Sequence, residues 1–336
     1  MNFYKQSPSS KTVLLYICLC SLFVSCQEES NKAIGSLDVL FETEDLIIEG
    51  LTPGEDTENI HDGWAVSFDK YITTIGPVDL HLSTDEDQVV ERDESYVIDM
   101  LKLPSGGVKL WSFDELQAGR WELFYATLGA GDGATRHDSV DQDDFDLMVN
   151  HDWTYLVHGT LSSESGQSCP PSTLAVTDMR PPNAHMSGEN FCYDAPEIRF
   201  EFGAKAETRF GPCEIDGLSG VSIPAGGTQS TSLTIHGDHL FFNGFPEGDE
   251  GGVMRLAQWL ADCDLNLDGL VTQEELESIA PSQLVELDER FQLGGSPITP
   301  LKNMYEYVIA QLKTQGHYQG EGECPLDGVA HDHANE

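Results

Sequence analysis

The chain has 336 residues, of which 58 are Asp or Glu and 17 are Lys or Arg, giving a formal net charge of −41 at pH 7. Such a surface repels nucleic acid and anionic lipid headgroups and attracts cations, which excludes the first two as electrostatic partners. The length is sufficient for one large domain or two of medium size.

Residues 1–25 carry Lys5 and Lys11, then the apolar run VLLYICLCSLFV, then Ser25 just before Cys26. A basic start, a short apolar stretch and a small residue before the cut describe an export signal too short to span a membrane as a helix. The stretch LFVSC resembles the lipobox of bacterial lipoproteins, although Phe23 stands where leucine is preferred. That resemblance implies lipidation of Cys26 and attachment to a membrane through the lipid. Gln27 is not the aspartate linked to inner-membrane retention in enteric bacteria, so the resemblance points to the outer membrane of the cell envelope. Residues 26–35 follow as a polar tether.

From residue 36 to 245 apolar and polar residues alternate in short runs separated by Gly, Pro and Asp. Trp64, Val66 and Phe68 share one face, as do Trp121, Leu123 and Tyr125, and Ile198, Phe200 and Phe202. A period of two with such turns predicts a mainly β domain, an antiparallel β-sandwich or partly closed barrel. Within it, residues 138–150 are expected to be helical, with Asp141, Asp143 and Asp144 at the favourable N-terminal end. Beyond the signal and Cys26 lie Cys169, Cys192, Cys213, Cys263 and Cys324. In an exported chain these predict one or two disulfides with one thiol left over, and no spacing suggests a zinc or redox centre. Cys324 is placed to tie the tail back, with Cys263 as one partner.

Residues 246–318 are expected to form a small α-helical EF-hand module. Its centre is DLNLDGLVTQEE, Asp264 to Glu275. Oxygen donors fall at positions 1, 3 and 5 (Asp264, Asn266, Asp268), a backbone carbonyl at 7 (Leu270), a hydroxyl at 9 (Thr272) and a carboxylate at 12 (Glu275), with Gly269 at the sharp turn. Ca²⁺ is a hard cation taking roughly 6–8 oxygens, and only alternate residues of a tight loop turn their oxygens inward. Leu256, Trp259, Leu260 and Cys263 before the loop, and Leu276 and Ile279 after it, give apolar helical faces on both sides. A degenerate second half follows: Ile298 is expected beside Val271 in a short sheet, and Thr299 is expected to cap a helix with Pro300 at its first position. One calcium ion is therefore predicted. Residues 319–336 read as a tail in which His331 and His333 could take metal adventitiously.

A second constellation is His236-Gly-Asp-His239. Two imidazoles and Asp238 within four residues, joined by His317 after the last helix, would suit Zn²⁺ or Cu²⁺ if the strand turns at Gly237. On a regular strand, His236 and His239 would point to opposite faces. His61 and His158 are weaker candidates.

No nucleophile elbow, zinc-peptidase helix, phosphate loop or dinucleotide fingerprint occurs, and the abundant carboxylates single out no catalytic pair. The lipobox, the GWAVSFDKYITTIG and TIHGDHLFF stretches and the single calcium loop together resemble uncharacterised EF-hand-bearing lipoproteins of environmental Gram-negative bacteria. The resemblance implies a fold order and a location, and no activity. The leading expectation is a non-enzymatic calcium-binding envelope lipoprotein. The alternatives are a transition-metal-binding or metal-delivery protein and, third, a calcium-stabilised glycan-recognising or glycan-cleaving module.

Overall fold

The organising strand is Ala65–Leu82, long enough for its two halves to take different neighbours. Its first half pairs antiparallel with Tyr155–Ser162, placing Tyr71 opposite Val157, and its second half with Gly119–Thr127, placing Leu80 opposite Leu123. A register shift between Phe68 and Lys70 re-aims the side chains, so the strand changes from one buried face to near-complete burial as it enters the core. These strands, with Thr208–Phe210 at one end and Glu197–Ala204 then Leu270–Thr272 at the other, form the main path of a ten-stranded sheet.

A seven-stranded sheet runs in the order Leu218–Ser219, Glu214–Ile215, Gly322–Glu323, Gly316–Tyr318, Thr228–Ile235, Ile34–Thr43, Val108–Gln117. The structure, a computed structural model, describes residues 33–131, 133–171, 183–187, 190–245, 253–285 and 290–326. The expected export signal, Cys26, most of the expected tether, and His331 and His333 lie outside these residues. The described residues belong to one compact unit, mainly β, whose curled sheets form a half-barrel. No described helix is long and apolar enough to cross a membrane.

The core that fills the half-barrel is aromatic. Phe68 meets Tyr71, Phe200 and Phe241 at ring-centroid distances of 5.0, 6.2 and 6.3 Å. Val271, Leu276 and Tyr307 belong to the same buried cluster as these rings, so the loop region and the last helix share a core with the sheets.

The alternating runs read from the sequence are strands, and the expected helix is Gln142–His151, with Asp143 and Asp144 in its first turn and Asp144 held by Lys70 at 2.6 Å. Several finer expectations are corrected. The first strand begins at Ile34, inside the expected tether. The sheets are mixed: Ile34–Thr43 pairs parallel with Thr228–Ile235, and Glu197–Ala204 pairs parallel with Leu270–Thr272. Parallel pairing needs a long crossover and leaves no turn signal in the sequence. Val271 accordingly stands opposite Phe200, not Ile298.

The last helix is Met304–Leu312, not a helix begun at Pro300. Asn303 caps it by accepting from the Glu306 N–H at 2.8 Å, and Glu306 reaches back to the Lys302 N–H at 2.7 Å, so the Asn-x-x-Glu pair prevails over Thr299-Pro300. Among the described residues two disulfides are present, Cys169–Cys192 and Cys213–Cys324. Cys324 is thus tied to the sheet strand region at Cys213, while Cys263 is a buried thiol donating to the Trp259 carbonyl at 3.2 Å. The expected tail from 319 is part of the sheet at Gly322–Glu323.

Candidate metal centres

The Asp264–Glu275 loop is entered from a single helical turn, Gln258–Ala261, whose N-terminal amides are bound by Asp62 at 2.8 Å from Ala257 N and 2.7 Å from Gln258 N. It is left by the short helix Gln273–Ser278. Trp259, Leu260, Leu276 and Ile279 are buried as the apolar spacing predicts, although both helices are shorter than that spacing suggests.

Within the loop the side-chain oxygens fold inward onto backbone amides. Asp264 accepts from Asp268 N at 3.1 Å and Gly269 N at 2.9 Å, and Asn266 Oδ1 accepts from the same Asp268 N at 2.9 Å. Asp268 in turn accepts from Leu270 N at 2.9 Å. Gly269 at φ 79° makes the bend, in the left-handed region that glycine enters without strain. Thr272 and Glu275 form a capping box, and the Glu275 carboxylate also accepts from Leu265 N at 2.9 Å and Asn266 N at 3.2 Å. Position 12 is thereby drawn back to the start of the loop. Asp264 and Glu275 are buried while Asn266 and Asp268 are exposed, so the loop has a protein side and a solvent side. Tyr193, which follows the Cys192 disulfide, donates to Asp264. Burial raises the carboxyl pKa of both Asp264 and Glu275; bonds from Tyr193 and the loop amides partly offset this at Asp264, and those from Thr272 and Asn266 do so at Glu275.

The histidines lie at the junction of the seven-stranded sheet and the C-terminal segment. Strand Thr228–Ile235 stops before His236, and the chain turns into the 3-10 helix Gly237–Phe241. His236 caps this turn in extended conformation, and the turn that follows brings the His239 ring to 5.8 Å from that of His236, which removes the opposite-face obstacle of a regular strand. Gly237 permits this turn because a Cβ there would meet Ile47 Cγ1 at 2.6 Å, and its N–H donates to Glu44 at 3.0 Å. His317 arrives on strand Gly316–Tyr318, which pairs antiparallel so that Thr234 faces His317. It is therefore held by the sheet, not by the preceding helix.

The rings of His236 and His317 stack with centroids 3.7 Å apart and 12° between planes, and His239 meets His317 edge-on at 5.1 Å. All three are buried, and each offers a nitrogen within 4.8 Å of the others. His236 Nε2 lies 3.1 Å from the Gly320 carbonyl, and His239 Nδ1 lies 3.1 Å from Thr314 Oγ1. His317 Nδ1 is buried with no hydrogen-bond partner among the described residues, and burial pushes this imidazole well below its ordinary pKa.

Asp238 is fully buried and bound by Arg255 Nε at 2.6 Å; it falls in an adjoining group with Glu44 and His236. Burial pushes the Glu44 carboxyl up to about 9. His61 instead contacts the Asp56 carbonyl at 2.9 Å, and His158 sits on strand Tyr155–Ser162 opposite Lys70 and Glu201; neither is in a cluster. Among the described residues the loop carboxylates form no such cluster either, and Glu275 accepts from the Thr272 N–H at 2.9 Å. Sequence reasoning missed Glu44, Arg255 and Thr314, which carry no local pattern marking them as neighbours of the histidines. No protein-family model matches the chain, and no curated protein or solved structure matches it.

Proposed function

We propose that the protein is a non-enzymatic calcium-binding lipoprotein of the cell envelope, in which one Ca²⁺ held by an EF-hand loop, Asp264 to Glu275, fastens the C-terminal segment to the β body. The observation that carries the reading is the inward fold of that loop. Asp264 and Asn266 converge on the single Asp268 amide, and Glu275, eleven positions after Asp264, is drawn to the amides of Leu265 and Asn266. Donors from Asp264, Asn266, Asp268, the Leu270 carbonyl, Thr272 and both Glu275 oxygens would supply the roughly 6–8 oxygens that Ca²⁺ takes, with Glu275 exchanging amide hydrogens for the ion.

The ion's role is structural, because extracellular calcium fills sites with dissociation constants of roughly 10⁻⁴ to 10⁻³ M without signalling. Two disulfides suit an oxidising compartment, extracellular or periplasmic. The lipobox-like LFVSC supports anchoring at Cys26, and the resemblance to EF-hand-bearing envelope lipoproteins supports the outer membrane.

Calorimetric titration of the mature protein should show one calcium site, weakened at least about tenfold, or 1.4 kcal/mol, in Glu275→Gln. Unchanged affinity in that variant removes the assignment. Anchoring is tested by fractionation: Cys26→Ala should leave the membrane fraction or remain unprocessed, and a wild type found wholly in the soluble fraction would refute it.

A further inference from the structure

We propose that His236, His239 and His317 bind one transition-metal ion of the zinc–copper class, at a site separate from the calcium loop. Three chain segments deliver the rings: the end of strand Thr228–Ile235, the 3-10 turn after it, and strand Gly316–Tyr318. The sheet pairing of Thr234 with His317 fixes the last ring beside the first.

Burying three imidazoles is costly unless their nitrogens are used. Among the described residues His317 Nδ1 has no hydrogen-bond partner, and its ring lies 3.7 and 5.1 Å from those of His236 and His239. Ring orientation is also set from outside. The Gly320 carbonyl fixes His236 and Thr314 fixes His239, the manner in which metal-bound imidazoles are held by a second layer of oxygens. His239 is further packed against Phe242, with centroids 4.4 Å apart.

Glu44 and Asp238 add carboxyl oxygens beside the cluster, with Glu44 3.8 Å from His236 Nδ1. Imidazole donors select zinc and copper over calcium, which prefers oxygen, so the two sites do not compete. Parallel rings 3.7 Å apart cannot both aim their lone pairs at one ion. Binding therefore turns one of them out of the stack.

The test uses the full mature chain, saturated with calcium so that the loop is filled, and Zn²⁺ or Cu²⁺ as the probe. A background His331→Ala/His333→Ala variant removes the two tail histidines. One equivalent should bind in both the wild type and that background. His317→Ala in the same background should weaken binding at least about 100-fold while leaving calcium affinity and circular dichroism unchanged. Unaltered binding in His317→Ala, or loss of binding with the tail histidines alone, overturns the proposal. If His317→Ala does not fold, pulsed electron paramagnetic resonance of Cu²⁺ in the His331→Ala/His333→Ala protein decides: couplings to three imidazole nitrogens support the site, and fewer than three overturn it. Failure of calcium binding in Glu275→Gln would leave these outcomes unaffected, so the two readings fail separately.

Discussion

Removing calcium should lower the melting temperature of the whole protein, not of a detached C-terminal module. Val271 of the loop pairs with Phe200 in the ten-stranded sheet, and Leu276 and Tyr307 sit in the same buried cluster as Phe68 and Tyr71. The loop cannot open without stripping the edge of that sheet and exposing shared core. For a site with a dissociation constant of about 10⁻⁴ M in roughly 10 mM calcium, binding only the native state adds about 2.7 kcal/mol. Unfolding entropy of about 2.1 cal/mol/K per residue over roughly 300 residues is ~0.6 kcal/mol/K, so the expected drop on chelation is about 4 °C. Differential scanning calorimetry in excess calcium and in chelator measures it, and Glu275→Gln, binding about tenfold more weakly, should show a calcium-dependent shift only about half as large, from about 1.4 kcal/mol. Identical transitions in the two buffers would refute the calcium reading. A separate early transition that appears only in chelator would refute the coupling to the sheet.

Replacing both cysteines of Cys213–Cys324 should cost more than replacing those of Cys169–Cys192: the closed segments span 111 and 23 residues, for roughly 4.8 and 3.4 kcal/mol of denatured-state entropy, and denaturant titration should give that order. Arg255→Met strands the fully buried Asp238 without its cation, a loss of about 3–5 kcal/mol, whereas Arg255→Met with Asp238→Leu should recover most of it; equal losses in a double-mutant cycle would contradict this. Burial raises the Asp62 carboxyl from its ordinary 3.8, so the folded state holds this proton more tightly than the unfolded one. Its stabilisation is complete below the unfolded value and is lost as pH rises through the raised folded value, so Asp62→Asn, which can still accept from the Ala257 and Gln258 amides, should flatten that fall. An unchanged pH slope between acid and neutral conditions would count against it.

The sequence alone determined the features that depend on neighbouring residues. Alternation at Trp121, Leu123 and Tyr125 marked a strand because side chains on a pleated backbone face opposite ways, and all three are buried on one face. Acidic residues at Asp143 and Asp144 marked a helix start for an equally local reason, the partial charge of the first turn. The bend at Gly269 and the return of Glu275 to the amides of Leu265 and Asn266 are likewise local, written within twelve consecutive residues.

Only the tertiary structure decided which distant segments meet. That Val271 lies against Phe200, that Cys324 closes on Cys213, and that His317 stacks on His236 all depend on the path of the chain between them. The parallel pairing of Ile34–Thr43 with Thr228–Ile235 leaves no mark in either strand, because backbone hydrogen bonds do not read side chains. The turn at Gly237 is the sharpest instance: the same four residues would hold their imidazoles apart on a regular strand and stand together at the turn, where Ile47 lies close to the place a Cβ would take and Glu44 accepts from the Gly237 N–H, both nearly two hundred residues earlier.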